Sequence, residues 1–372
     1  ARNSNLAQAR VLGTPLSLAS QLFPRKRMSH LRKTLGTLAA VSSAASLLRS
    51  ERRQRRTPAP PPATLARPVL LQGPPATCNE SVRPRPRVLE DLLDCPSTIR
   101  RCDCFAGRYE LGSLVMPCTS RGTQVRYGVR RADGEPVVIK VRSKREAFVR
   151  PEEEASWRAN TEELLALPQH DGVAGLWEVL EDAEAYYVVM ERVDGQDLFE
   201  TMCQEGLLPL DEVAVIVRQL LHAISHLHSH GLIYRDLKLD NVMLARHGKS
   251  LEVKLVDFDT VSSFSAEAPP CRDVLGTDQY IAPEAYEGRC SPASDVFALG
   301  ALAYWLLAGR PPFEPELFGG AGGSNRAGSP EMQAVRSKLL AATVPLREGR
   351  LARRPSAQRL LRAMLAAEPQ RR

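Results

Sequence analysis

The sequence predicts an α+β chain of two lobes, a small β-rich lobe followed by a larger α-helical one, behind a disordered N-terminal extension. Three observations carry this prediction. β-Rich runs crowd the first part of the patterned region, helical periodicity takes over from Asp211 onward, and charge is segregated along the 372 residues. Residues 1–105 hold 18 Lys+Arg against 6 Asp+Glu, which leaves 32 against 37 for the rest. The overall +7 is therefore an N-terminal property, and the patterned region is mildly acidic. With 43% hydrophobic and 25% charged residues the composition is globular, which excludes a wholly disordered, collagenous or membrane-embedded chain. No apolar run reaches the roughly 18 to 20 residues of a spanning helix, and the best, residues 35–48, is broken by Ser and Thr.

The elements follow in order. The first residue is Ala1 rather than Met, which leaves the true start open. Residues 1–56 form a basic disordered or targeting segment: the first fifty contain no Asp or Glu but carry Arg2, Arg10, Arg25, Lys26, Arg27, Arg32, Lys33 and Arg49. Such a stretch resembles an organelle transit peptide or, equally, a solvated basic tail. Localisation is accordingly expected to be intracellular and cytoplasmic, or organellar if the segment is a transit peptide. Residues 57–104 read as a Pro-rich linker with nine prolines between 57 and 87, ending on a short helix around Leu89, Leu92 and Leu93. Eight cysteines without an even framework read as reduced thiols. Cys95, Cys102 and Cys104 cluster, but no second pair stands at zinc-site spacing. Further on, residues 127–141 give two strands around Asp133-Gly134, a hairpin signal, and residues 186–193 give another. Residues 211–230 place Val213, Val217, Leu220, Leu221, Ile224 and Leu227 at helical spacing and stop at Gly231. Residues 319–328, rich in Gly and Ser, read as a mobile loop.

The chemistry concentrates in Tyr234-Arg235-Asp236-Leu237-Lys238-Leu239-Asp240-Asn241. Asn241 follows Asp236 by five positions, an interval that lets one loop present a carboxylate to a substrate hydroxyl and an amide oxygen to a metal. Residues 242–245 and 251–256 form a hairpin through His247-Gly248, which returns Asp257-Phe258-Asp259 beside Asn241. Hard oxygens meeting there suit Mg²⁺.

With these motifs residues 105–365 resemble a eukaryotic-type serine/threonine protein kinase, and the implied fold is bilobal and protein-kinase-like over 105–372. The resemblance sets an N-lobe at 105–190, a hinge at 191–195 and a C-lobe at 196–372. Val137-Val138-Ile139-Lys140 resembles the strand that bears the ATP lysine, with Val138 and Lys140 on one face. Met190-Glu191-Arg192-Val193 resembles the interlobe linker, with Met190 as gatekeeper and the backbone of Glu191 and Val193 offered to adenine. Asp197 falls at the ribose acid, and Val125 and Met243 join Val138 among the nucleotide-binding residues. Gly276-Thr277, Tyr280 and residues 281–284 resemble the end of an activation segment. Residues 295–300 resemble the start of the central buried helix, and Arg354 sits where an arginine pairs with Glu284.

The implied activity is ATP-dependent phosphorylation of protein Ser/Thr hydroxyls, on sites flanked by basic residues facing Asp197 and Asp240. Asp236 would take or orient the hydroxyl proton, Lys238 would neutralise the phosphoryl group, and Lys140 would hold the α- and β-phosphates. Asn241 and Asp257 would bind Mg²⁺. Arg235 would need a neutralising group in the activation segment, for which Asp273 is the expected stand-in. Tyr234 resembles the cyclic-nucleotide-dependent group and residues 280–284 the calcium-dependent kinases, so the subfamily stays open. Three departures stand out. Cys118, Ser120 and Thr123 occupy glycine positions of the phosphate loop, with Gly122 one place off. Asp259 replaces the glycine of Asp-Phe-Gly. The helix glutamate that should pair with Lys140 falls near Thr161, with Glu162 and Glu163 adjacent and Glu154 earlier, and Glu162 is the expected partner. The alternative is a catalytically weak pseudokinase acting as a scaffold. The partners expected are protein substrates and no specific nucleic acid, since the basic tail lacks aromatic interleaving and a sustained amphipathic helix.

Overall fold

Alternation of β-branched and aromatic residues builds the first lobe. Strands β1 (Arg100–Arg101), β2 (Tyr109–Met116), β3 (Thr123–Arg130), β4 (Pro136–Ser143), β5 (Leu176–Glu181) and β6 (Ala185–Glu191) form one sheet in the order β1-β5-β6-β4-β3-β2. The computed structural model describes residues 97–116, 121–248, 250–318 and 325–372. All of them lie in the unit Asp91–Arg372. The expectations for the basic segment, the linker to residue 96, the helix near Leu89, Cys95, Cys118, Ser120 and residues 319–324 lie outside the described residues. Among the described residues no helix is long and apolar enough to cross a membrane.

The β3–β4 hairpin turns at Asp133-Gly134 as its sequence predicts, with Arg130 clamped to Asp133 at 2.7 Å. Its inner face carries Val137 and Ile139, which meet Leu180, Val189, Phe105 and Tyr109 in the lobe's core. Helix α1 (Phe105–Arg108) places Phe105 in that core, where it stacks on Tyr187 at 4.0 Å. Helix α2 (Lys144–Ala147) leads into α3 (Pro151–Leu165), which buries Thr161, Leu164 and Leu165 and packs on β5. One boundary moves. β1 pairs in parallel with β5 at Arg100↔Leu180 and Arg101↔Glu181, so residues assigned to the Pro-rich linker belong to the folded sheet. Two arginines carry no strand periodicity, and only the free edge of β5 makes them a strand.

The second lobe begins with β7 (Gln196–Asp197) and α4 (Leu198–Glu205), whose N-terminal Glu200 N–H donates to Asp197 Oδ1 at 2.7 Å. Helix α5 (Leu210–Ser229) buries Val213, Ile216, Val217, Leu220, Ile224 and Leu227 along one stripe. Leu221, counted with that stripe from the sequence, lies off it and is exposed. The helix ends where Gly231 takes a φ of +75° that a side chain would oppose. Beyond it come β8 (Leu232–Ile233), the antiparallel hairpin of β9 (Val242–His247) and β10 (Ser250–Leu255), and β11 (Ser262–Ser263), which pairs with β8. Helix α6 (Pro292–Ala308) is apolar nearly all round and correspondingly buried, opening on a reciprocal Ser291–Ser294 capping box. Helices α7 (Pro330–Ala341) and α8 (Pro355–Met364) complete the lobe.

Candidate active site

The loop after β8 is held from below by one carboxylate. Asp295 of α6, 1% exposed, accepts the backbone N–H groups of Tyr234 and Arg235 at 2.8 Å each, and His228 Nε2 lies 2.8 Å from it. Arg235 has a φ of +71°, a conformation that non-glycine residues rarely keep without such support. On this turn Lys238 Nζ donates to Asp236 Oδ2 at 2.5 Å and Thr277 Oγ1 to its Oδ1 at 3.2 Å. Asn241 Nδ2 donates to the Asp236 carbonyl at 2.9 Å and to its Oδ2 at 3.1 Å. With its nitrogen so committed, the amide oxygen of Asn241 is the atom left for a cation.

The β9–β10 hairpin brings the acidic strand end back as its sequence predicts, and Val256 N–H donates to the Asn241 carbonyl at 3.0 Å. Asp257 follows with a φ of +66°, and Phe258 meets Tyr234 edge-on at 6.0 Å. Tyr234 is fully buried, and its hydroxyl donates to the Val256 carbonyl. Burial holds its pKa well above the ordinary value. Above this loop, Lys140 on β4 lies 2.6 Å from Asp257 Oδ1 and 3.1 Å from Asp259 Oδ2. Burial disfavours the ammonium, but the carboxylates of Asp259 and Asp257 outweigh it and raise the Lys140 pKa. Burial likewise pushes the Asp257 carboxyl up, and Lys140 more than reverses it, so that Asp257 stays an anion and a suitable hard ligand.

Some of the expected nucleotide-binding residues lie beside this lysine on the sheet, and others follow on neighbouring elements. β4 sets Lys140 opposite Val125 and Val188, and Val138 opposite Met190. Glu191 follows Met190 and pairs with Val137; its N–H donates to the Gly175 carbonyl at 2.8 Å and its side chain holds Lys254 at 2.5 Å. Val193 lies just past β6, and Met243 on β9 pairs with Asp197.

Three expectations fail. Glu162 does not face Lys140: it accepts the Ile99 N–H at 3.3 Å, because the residue turned toward Lys140 in the cleft behind Met190 is Thr161. Arg354 is exposed at the start of α8, and Glu284 is paired instead by Arg372, whose two guanidinium nitrogens reach it at 2.5 and 2.8 Å. Asp273 is not on Arg235, whose Nε and Nη2 are buried without a hydrogen-bond partner among the described residues. Near that guanidinium are the thiols of Cys271 and Cys290. A hydrogen bond from Cys290 draws the Cys271 pKa down to about 6 against burial, with Arg235 adding to it. Of the counted phosphate-loop positions, only Thr123 lies within the described residues. Thr123 is buried in β3 opposite Arg142, and Gly122, at a φ of +66°, makes the turn. A Cβ on Gly122 would stand 2.6 Å from the Ala147 nitrogen.

A family model of the protein kinase domain matches residues 121–372, more than half of the chain. The chain belongs to the protein kinase family. It is 30% identical over 210 residues to calcium-dependent protein kinase 24 of Arabidopsis thaliana, covering 56% of this chain and 34% of that protein. It is 28% identical over 300 residues to calcium-dependent protein kinase 10 of Oryza sativa subsp. japonica, covering 71% and 49%. Sperm motility kinase 2A of Mus musculus matches at 30% over 215 residues, covering 56% and 40%. The chain thus spans a third to a half of the length of these relatives. Within this kinase domain, sequence reasoning missed Arg372 and the hydroxyl of Thr277 on Asp236. No local pattern marks an arginine that reaches back 88 positions to Glu284. Thr277 belongs to the Gly276-Thr277 pair, but only the fold brings its hydroxyl to the loop.

Proposed function

We propose that the chain transfers the γ-phosphoryl group of ATP to Ser or Thr hydroxyls of proteins. The observation that carries this reading is the convergence of Asp236, Lys238, Asn241, Asp257 and Lys140 around one cleft. Mg²⁺ATP, when bound, supplies the phosphoryl group and the metal charge that neutralises it. The donor set fits it: one buried cation on β4, one carboxylate kept ionised, and one amide whose nitrogen is bonded to Asp236 and whose oxygen is the hard donor. Asn241 and Asp257 would hold the metal, and Lys140 the α- and β-phosphates. Asp236 accepts or orients the hydroxyl proton through a carboxylate already fixed by Lys238 and Thr277, so little reorganisation is left for the reaction. Lys238, on the same carboxylate, is placed to meet charge on the transferred group. Val125, Val138 and Met243 would enclose the base, with the backbone of Glu191 and Val193 along its edge and Asp197 near the ribose.

The substrate preference we propose is a basic residue, Arg foremost, about three positions before the acceptor, met by Asp197 and Asp240. Guanidinium bonds to such carboxylates typically contribute about 1.5 to 3 kcal/mol. A positional peptide library with the purified chain and Mg²⁺ATP tests both parts. Transfer to Ser/Thr peptides with enrichment of Arg is expected. Transfer without enrichment removes the substrate preference, and no transfer leaves the scaffold reading.

A further inference from the structure

The five acids of α3 are accounted for, and none of them reaches Lys140. Glu152 is exposed, Glu153 pairs with Arg150 at 2.6 Å, Glu154 accepts the Tyr186 hydroxyl, Glu162 accepts the Ile99 N–H, and Glu163 accepts the Ser263 hydroxyl at 2.6 Å. The helix residue turned toward the lysine is Thr161, 5% exposed, whose hydroxyl bonds back to the Trp157 carbonyl at 2.7 Å and offers the lysine no charge. Asp259 fills the gap. Its Oδ2 is 3.1 Å from Lys140, and its Oδ1 is 3.4 Å from Arg142, the next residue on the same face of β4. Arg142 is itself fixed, with its guanidinium over Phe148 at 4.8 Å and over Trp157 of α3 at 5.3 Å.

We propose that Asp259 is the positioning residue for the nucleotide lysine, in place of a helix carboxylate. The inference rests on the reading of the site as a nucleotide-dependent phosphotransferase. Its physical content lies in the demands on Asp257. A metal ligand that is also the sole partner of Lys140 would have to choose between the lysine and the cation. With Asp259 present, Lys140 would keep a carboxylate partner that holds its side chain in place while Asp257 served a metal. The carboxylate stands on the activation segment rather than on α3, and Arg142, which it neighbours, lies over Trp157 of that helix.

The test compares the parent chain with Asp259→Asn, Asp259→Gly, Thr161→Glu and the double variant Thr161→Glu/Asp259→Gly. Calorimetric titration with Mg²⁺ATP and the KM and kcat of peptide phosphorylation are read beside the melting temperature. The expected result is ATP affinity about 10- to 100-fold weaker in both Asp259 variants, the size of one lost charged hydrogen bond. KM for ATP rises with it, and the double variant recovers to within about threefold of the parent, as a carboxylate offered from α3 replaces the missing one. Binding by Asp259→Asn equal to or tighter than the parent overturns the proposal, since Asp259 would then only repel the triphosphate. Weakened binding that follows a lowered melting temperature and is not recovered by the double variant also overturns it. A parent that binds ATP but transfers nothing overturns the phosphotransfer reading alone; a parent that binds no ATP overturns both.

Discussion

Replacing Asp295 by Ala probes how the catalytic loop is held in its strained shape. The carboxylate accepts two backbone N–H groups, of Tyr234 and Arg235, and sits 2.8 Å from His228 Nε2, while the residue is 1% exposed. Water cannot replace it without opening the base of α6. Each buried donor left without an acceptor costs about 1 to 3 kcal/mol, so the two N–H groups together cost about 2 to 6 kcal/mol. For a domain of this size, roughly 2 to 4 °C of melting temperature follow each kcal/mol, and a mid-range loss lowers the melting point by about 8 to 16 °C. The Arg235 φ of +71° loses its support at the same time. Asp236 then moves, and a displacement of about 1 Å at a reacting group costs on the order of 100-fold in rate. Thermal denaturation by circular dichroism and single-turnover phosphotransfer read the two effects. Asp295→Asn, which keeps one acceptor oxygen, should fall between parent and Ala. A melting temperature within about 2 °C of the parent for Asp295→Ala, or an unchanged turnover, would refute the view that this carboxylate holds the loop.

Other outcomes follow from the same contacts. Arg372→Ala strands the buried Glu284 carboxylate and should cost about 3 to 5 kcal/mol in urea unfolding. Arg354→Ala, at an exposed position, should stay within about 0.5 kcal/mol, and equal losses from the two would undo the reassignment. Gly122→Ala places a Cβ 2.6 Å from the Ala147 nitrogen at a positive φ, so it should lower the melting temperature and weaken ATP binding in calorimetry. Thr123→Gly, within β3, should destabilise rather than tighten binding, read by the same two measurements. Cys271, with its pKa held down to about 6, is an anion at neutral pH, and its reactivity falls as the pH drops through that value. Iodoacetamide labelling followed by mass spectrometry should therefore show half-maximal rate near pH 6, moving upward in Cys290→Ala, while Cys203, whose thiol burial pushes up, lags at pH 7.

The sequence showed most clearly what is local. Asp236, Lys238 and Asn241 share one loop, the hairpin of β9 and β10 that leads to Asp257 follows from two apolar runs and a turn, and Lys140 is set by strand alternation. Elements joined by distant pairing were not legible in the sequence. The strand at Arg100 exists because β5 offers an edge. Glu162 was chosen from helix periodicity, but a rotation of one residue, about 100°, separates a side chain facing the lysine from one facing Ile99. The leucines fixed the helix face only approximately, and Thr161 took the inward position. Asp259 was visible as a departure, yet its partners Lys140 and Arg142 lie more than a hundred positions away. Read together, a surplus acid after Phe258 and a missing acid on α3 were the signal that pointed to each other. The interval from Gly276 to Asp273 fixes a position in sequence but not the course of the segment around Arg235.

The most direct test of the account is the single-turnover rate of γ-phosphoryl transfer from Mg²⁺ATP to an Arg-containing Ser peptide, for the parent and for Asp236→Asn, with ATP affinity measured on both. Asp236→Asn barely changes volume and leaves Lys140, Asn241 and Asp257 in place. The account predicts transfer by the parent, nearly equal ATP affinity, and a rate lower by about 100- to 10,000-fold in the variant. Equal rates in the two proteins, or a parent that binds ATP and transfers nothing, would contradict it.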